Sequence, residues 1–456
     1  MLTRSLSPVV LTIGALLLAG CSASRLSSGA CPERSVARCR CDDGARGTQL
    51  CRGGAYDPCV CGSTGPVACA PGAVAACRCD DGGRGTQRCA GDGHFGRCEC
   101  DGPGPGDAGM LADAETPRDA SAPADADGSV CLDCGVETIT VALNDVIVDP
   151  TRPLLYGSVP STDTAHGNEI VAIDPERATI LWSVLVGSEP GPLAIADDGS
   201  VLYVGLQGAA AVRRVDLETR APGLEFTLGS DRSGPRYAGD IEVLPGTPSV
   251  VAISMRNRRY SPDFEGVAIF DDGSPRPEQT SDHTGARMIE AASPTRLWGY
   301  NNSNTEFGFR ALTVDGSGVR EQWVARSLVS GFETDIEYAA GRIFATDGAV
   351  LDPEGMRRLG QLAAQGPLAV EPDGSRVYFA VTETFGDLTG IAAFDPATYR
   401  GVATRRLSSG SGRGRARRLV RFGADGFAVL VGPDYPRDQP GNLLFVRAPE
   451  LTDPAR

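Results

Sequence analysis

The 456-residue sequence contains no lysine, so all 43 of its basic residues are arginine, set against 58 aspartates and glutamates. That absence excludes every mechanism built on a lysine Schiff base. The formal charge of −15 argues against nucleic acid as a partner. Histidine is scarce as well: His94, His166 and His283 leave little room for a histidine-rich metal centre. No metal, cofactor or catalytic residue is expected. Only 6 % of residues are aromatic. Beyond residue 20 no apolar run approaches the ~18 residues of a membrane-spanning helix. What the chain has in abundance is 58 Gly and 32 Pro, the punctuation of many short strands rather than of a helical bundle.

Residues 1–20 combine a single charge, Arg4, with an apolar run from Val9 to Ala19, the form of an export signal. The segment ends in Leu18-Ala19-Gly20-Cys21, which resembles the lipobox of bacterial lipoproteins. The resemblance implies acylation of Cys21, attachment to the membrane through the lipid, and an exported, envelope-anchored protein. Ser22 after that cysteine resembles the lipoproteins sorted to the outer membrane. A tether over 21–30 follows.

Twelve cysteines form a duplication. Cys31, Cys39, Cys41, Cys51, Cys59 and Cys61 belong to a module over 31–62. Cys69, Cys77, Cys79, Cys89, Cys98 and Cys100 belong to a second over 69–100. Both contain the run C-x-C-D-D-G-x-x-G-T-Q-x-C, offset by about 38 residues, so the repeat is firm. A module of this size cannot enclose a sufficient core, and in an exported chain disulfides are the expected staple. Six cysteines allow fifteen pairings, which the sequence leaves open; zinc is the competing reading of the C-x-C spacings. Asp42-Asp43-Gly44 and Asp80-Asp81-Gly82 are expected as turns rather than calcium loops. The modules resemble cysteine-rich modules of myxobacterial surface lipoproteins. Residues 101–130, rich in Asp, Ala and Pro, are expected to be a disordered acidic linker. Cys131 and Cys134 then suggest one short structural disulfide at the domain edge.

From 131 to 456 the pattern becomes periodic. Apolar strands end in Asp174, Asp216, Asp271, Asp315, Asp352 and Asp395, about 44 residues apart on average, the period of a four-stranded propeller blade. Seven turns mark the first hairpin of each unit, at Asp149-Pro150, Asp198-Gly199, Pro245-Gly246, Pro294-Thr295, Ala340-Gly341, Asp373-Gly374 and Asp425-Gly426. The last unit is one strand short, whereas Thr138 to Leu143 precedes the first unit unpaired; joining the two closes the ring. The expected architecture is all-β: a seven-bladed β-propeller behind two small disulfide-rich modules and a disordered linker. Ala172-Ile173-Asp174-Pro175-Glu176-Arg177-Ala178-Thr179-Ile180-Leu181-Trp182 is similar to the quinoprotein repeat, and Pro367 to Gly374 to the YVTN type. These resemblances imply a fold, not a function.

Ligands of a propeller usually sit where the loops between second and third strands meet those between blades. The candidates there are His166, Arg232, Tyr237, Arg256, Arg258, Arg259, Tyr260, His283, Arg287, Asn302, Arg413, Arg415 and Arg417. Forked guanidinium bonds from such a set suit an anionic envelope glycan or an acidic protein partner. Solvated loop arginines are the bland alternative. Catalysis of the lactonase or quinoprotein kind is the rival function, but no sequence motif sets either His166 or His283 beside a carboxylate. Trp182, Trp298 and Trp323 are expected to pack between blades rather than on a quinone. The expected molecule is a monomeric, non-catalytic recognition or scaffold domain.

Overall fold

The computed structural model describes residues 133–259, 261–382, 386–408, 414–433 and 439–453, with the backbone of six short strands between Val36 and Cys100. The chain separates into two units, Met1–Thr116 and Pro117–Arg456. In the first, Val36–Arg40 pairs antiparallel with Arg46–Arg52, and Val74–Arg78 pairs in the same way with Arg84–Arg88. Cys39 stands opposite Gly47 and Cys77 opposite Gly85, so the sequence duplication is also a duplication of register. Cys21, the acidic linker and the side chains of the twelve module cysteines lie outside the described residues. Cys134 is disulfide-bonded.

In the second unit, apart from its first strand, the apolar runs within each blade pair with their sequence neighbours through short Asp/Gly turns. The result is seven four-stranded antiparallel sheets, called here blades I to VII. Their innermost strands are Asp145–Val148, Pro190–Ile195, Tyr237–Val243, Met288–Ser293, Ile336–Ala339, Leu368–Val370 and Arg415–Phe422. Blade VII takes its fourth, outermost strand from the beginning of the domain: Val136–Leu143 pairs with Gly441–Arg447, opposing Ile139 to Leu443. Ring closure therefore occurs as the sequence suggests, with the strand starting two residues earlier. Each marker aspartate ends the third strand of its blade. Asp174, Asp315 and Asp395 each accept the backbone N–H two residues on, at 2.9, 2.8 and 2.8 Å. Asp216 and Asp352 accept the N–H three residues on, at 2.7 and 3.0 Å, whereas Asp271 grips the Arg276 guanidinium at 2.7 Å.

No single core serves the propeller. Buried apolar side chains fall into seven clusters, each shared by two adjacent blades. Between VI and VII, Tyr378 meets Phe427 edge-on with ring centroids 4.8 Å apart. Between VII and I, Phe422 and Phe445 pack with Leu143, Val146 and Leu155. The tryptophans divide. Trp298 is buried between IV and V, and Trp182 packs 5.8 Å from Tyr156. Trp323 departs from the expected interblade packing: it is 53 % exposed on the outermost strand of IV, whose outer positions have no next strand to cover them.

Because adjacent blades share each cluster, truncating one wedge should loosen two blades. Phe427→Ala is expected to cost about 3–5 kcal/mol, against ~0.5 kcal/mol or less for Trp323→Ala, in urea unfolding followed by circular dichroism. Equal costs would show that the wedge is not what holds the ring. Deleting residues 133–143 should bare the edge Gly441–Arg447 and add concentration-dependent self-association on size exclusion relative to the full chain; a deletion variant with the elution and melting temperature of the full chain would refute closure by this strand.

Candidate functional site

The connections between second and third strands and those between blades emerge on one face, where the innermost strands begin. Most of the candidate residues lie there, but not all are loop residues. Tyr237 opens the innermost strand of III, Arg256 ends its second strand, and Arg415 and Arg417 lie in the first strand of VII. The strands run further up than the turn residues suggest, so these side chains are held by backbone ladders. Tyr260 and Arg413 lie outside the described residues.

Four candidates come together at blade III. Tyr237 and Arg256 are paired across neighbouring strands. Arg256 and Arg258 donate to the same oxygen, Gln207 Oε1, at 2.6 and 3.0 Å. Gln207 is in turn fixed by donating to the Ala238 carbonyl at 2.8 Å. The Arg258 guanidinium lies 4.3 Å over the Tyr237 ring. Arg287 completes the group by lying across Gly239; a β-carbon there would stand 2.5 Å from its Nη1 and make the guanidinium shift. Burial, then the positive charges of Arg287 and Arg258, push Arg256 down to about 10. Among the described residues, the acidic partner in direct contact with these three arginines is Asp263, 3.3 Å from Arg287 Nε.

A shallow hollow of about 590 Å³ opens beside Arg258 and Arg287, lined also by Asn302 and Phe332. Phe332 is 57 % exposed and rests edge-on against Phe307 at 5.0 Å. It forms a ridge to a second hollow of about 500 Å³, which holds Arg415 and Arg417. Arg415 reaches Glu333 at 3.5 Å and Arg417 donates to the Pro433 carbonyl at 3.0 Å. Asn302 ties two loops together by donating to the Thr334 carbonyl at 3.0 Å.

The other candidates stand apart. Arg232 is exposed at the tip of a small hairpin, Ser230–Asp231 with Gly234–Pro235. Arg259 is exposed, with its backbone N–H on Asn257. His283 is exposed in the connection from III to IV. His166 corrects the sequence reading, since its Nδ1 lies 2.9 Å from Glu169 Oε2. The pair is local to one turn, three residues apart, and lines none of the cavities described here. Among the described residues no three His, Cys, Asp or Glu side chains are grouped to hold a metal ion, and no described helix is long and apolar enough to cross a membrane.

The central channel holds residues that the sequence reading missed. An apolar residue of each innermost strand, such as Val146, Ile241 or Ile336, is buried between blades. The positions on either side of it face the axis. Above it are Asp145, Asp240 and Asp335, with Arg418 from VII; below it are Glu242, Glu290 and Glu337. Water reaches these groups, since Asp145 is 20 % and Asp335 33 % exposed, but protein encloses them on all sides. Enclosure raises every one of the carboxyls; with Asp335 opposite, Asp240 reaches about 7, and Glu337 also reaches about 7. The attraction of Asp145, foremost, holds Arg418 firmly charged. The missed signal is legible in retrospect. Asp145-Val146-Ile147, Asp240-Ile241-Glu242 and Asp335-Ile336-Glu337 recur about every 95 residues, in alternate blades.

No family model matches the chain, and no curated protein matches its sequence. Solved structures do match in shape. The β-propeller domain of Myceliophteria thermophila Cps50 (Swd1) is similar at TM-score 0.50 and 12 % identity, over 69 % of this chain and 99 % of that one. U3-55K is similar at TM-score 0.50 and 12 % identity, over 69 % and 98 %. Kuenenia stuttgartiensis hydrazine synthase matches at TM-score 0.49 and 15 % identity, over 70 % and 98 %. At such identities the likeness is one of fold alone. The domain over 133–453 is a seven-bladed β-propeller.

Proposed function

We propose that the propeller is a non-catalytic recognition module that takes an anionic partner, an acidic glycan or protein surface of the cell envelope, on its loop face. The carrying observation is the convergence of Arg256, Arg258 and Arg287 on one another, on a protein of net charge −15. Like charges are not gathered and partly buried without cost, and an arriving carboxylate, sulfate or phosphate oxyanion offsets that cost through forked hydrogen bonds. Tyr237 and Phe332 supply flat apolar surface beside the charges, suited to the carbon face of a sugar or to an aliphatic side chain. The hollows are open and shallow, which suits a macromolecular surface better than a small substrate. Five of the channel carboxylates, Asp145, Asp240, Glu242, Glu290 and Glu337, are engaged with backbone N–H groups of neighbouring blades, which argues for structural work rather than acid/base chemistry. The lipobox-like Leu18-Ala19-Gly20-Cys21 and the acidic segment 101–130 support display of the propeller from a membrane.

Two measurements test the reading. On an array of acidic glycans and envelope fractions, the wild type should bind, and binding should weaken as salt rises. Arg256→Gln, Arg258→Gln and Arg287→Gln should each lose on the order of tenfold, since a charged hydrogen bond contributes about 1.5–3 kcal/mol. Undiminished binding by the triple variant, or turnover of a lactone or sugar by the wild type, would sink the proposal. Anchoring is read separately: metabolic palmitate labelling should disappear in Cys21→Ser, and labelling that persists would remove the membrane from the picture.

A further inference from the structure

We propose that the channel carboxylates form an acid-stabilised clasp: by taking up protons in mild acid they shed the repulsion and burial penalty of their charges while still bridging the inner strands of neighbouring blades, so the ring is more stable near about pH 5 and loosens toward about pH 8. The inference stands independently of the anion-binding reading. Its basis is a set of bonds that all run from one blade to the next. Asp145 of I accepts the Leu193 N–H of II at 3.0 Å. Asp240 of III accepts Ile289 N–H of IV at 2.9 Å, and Glu242 accepts the neighbouring Ala291 N–H. Glu290 of IV accepts Tyr338 N–H of V at 3.2 Å, and Glu337 of V accepts Val370 N–H of VI at 3.2 Å. The same side chains that stitch blades together therefore face one another across an enclosed shaft.

The facing cations do not balance them. Arg418 of VII lies 3.9 Å from Asp145 and 3.6 Å from Asp335, and Arg287 of IV stands near Asp240, so the aspartate tier is partly neutralised. In the glutamate tier the other blades contribute Ile147, Ala194, Ala369 and Val420, none of which carries charge, so the attraction of Arg418 from the tier above is what offsets the burial of Glu242 and Glu337, and only in part. Inner strands of II and VI hold no titratable residue; Glu371 below VI is taken by Tyr378 and Arg421. A protonated carboxyl keeps one oxygen as acceptor for the N–H of the next blade, a weaker bond than a carboxylate makes, but it loses the larger penalty of burying a charge and its repulsion toward the others. Protonation thus retains the stitch and removes its penalty.

Channel carboxyls raised toward 7 hold protons in the folded chain that an unfolded chain, titrating near 4, has already released. Between those values the native state binds more protons, so stability is full below about pH 4 as far as these groups are concerned and is lost as pH rises through about 7. Carboxylates with lowered values, such as Asp315 at about 2, act in the opposite sense but only in stronger acid.

All three tryptophans lie in the propeller, so the thermal unfolding of the full chain can be followed by intrinsic fluorescence. The wild-type melting temperature should fall by roughly 5 °C or more between pH 5 and pH 8. In Glu242→Gln/Glu290→Gln/Glu337→Gln, whose amide oxygens still accept the N–H bonds, it should rise at pH 8 and lose at least half of its pH dependence. Should the triple variant not fold, Glu290→Gln alone must show the same direction. A wild-type melting temperature that is flat or rising from pH 5 to pH 8 overturns the clasp, as does a folded variant less stable than wild type at pH 8. Millimolar calcium or magnesium that restores the pH 5 value at pH 8 also overturns it, by making a bound cation the neutraliser.

Discussion

A four-stranded sheet has two faces, and in this propeller each must be covered by the sheet before it and the sheet after it. That single requirement organises the domain. It replaces a central core by seven wedges, and it makes the last blade as dependent on the first as any pair adjacent in sequence. It also explains why the chain lends its first strand, Val136–Leu143, to its last blade. Without that loan the outermost position of blade VII would be an unpaired edge, and the VII–I wedge around Phe422 and Phe445 would rest on three strands.

Packing wedges around an axis leaves a shaft in the middle, and what lines it is a second choice. Here the chain lines it with carboxylates and uses them as cross-blade acceptors. Backbone N–H groups in the inner strands of II, IV, V and VI find an acceptor in an aspartate or glutamate of the preceding blade. The solution binds blades together but concentrates negative charge in an enclosed space. Arg418 answers part of it, reaching two aspartates from different blades at once. Arginine suits that role, with its fixed charge and forked geometry.

On the loop face the charge logic is inverted. Arg256, Arg258 and Arg287 are brought close by strand register, by a shared glutamine oxygen and by the absence of a side chain at Gly239, not by proximity in sequence. The positive cluster and the negative shaft lie within one domain, with Arg287 electrostatically linked to Asp240 of the shaft. Recognition, in this reading, belongs to the rim, and cohesion to the axis.

Blade number, the marker aspartates and ring closure were legible in the sequence because each depends on local events: a turn, a strand of a certain length, a repeat period. Asp174 or Asp395 turns the chain with its own carboxylate wherever the blade happens to lie. Arginine enrichment of the loops was legible for the same reason. Which arginines meet was not, because Gln207, Arg256 and Arg287 come from three different blades and their meeting depends on how far each strand extends. His166 finding Glu169, and Trp323 left on an outer strand, were likewise decided by a turn and by an uncovered edge. The shaft carboxylates lay between. Their alternation of acidic and apolar residues, Asp-Ile-Glu at 240–242 and 335–337, was present in the letters, but alternation along a strand says only that two faces differ. That one face looks onto a closed axis, where charges from blades about 95 residues apart confront one another, follows only when the ring is shut.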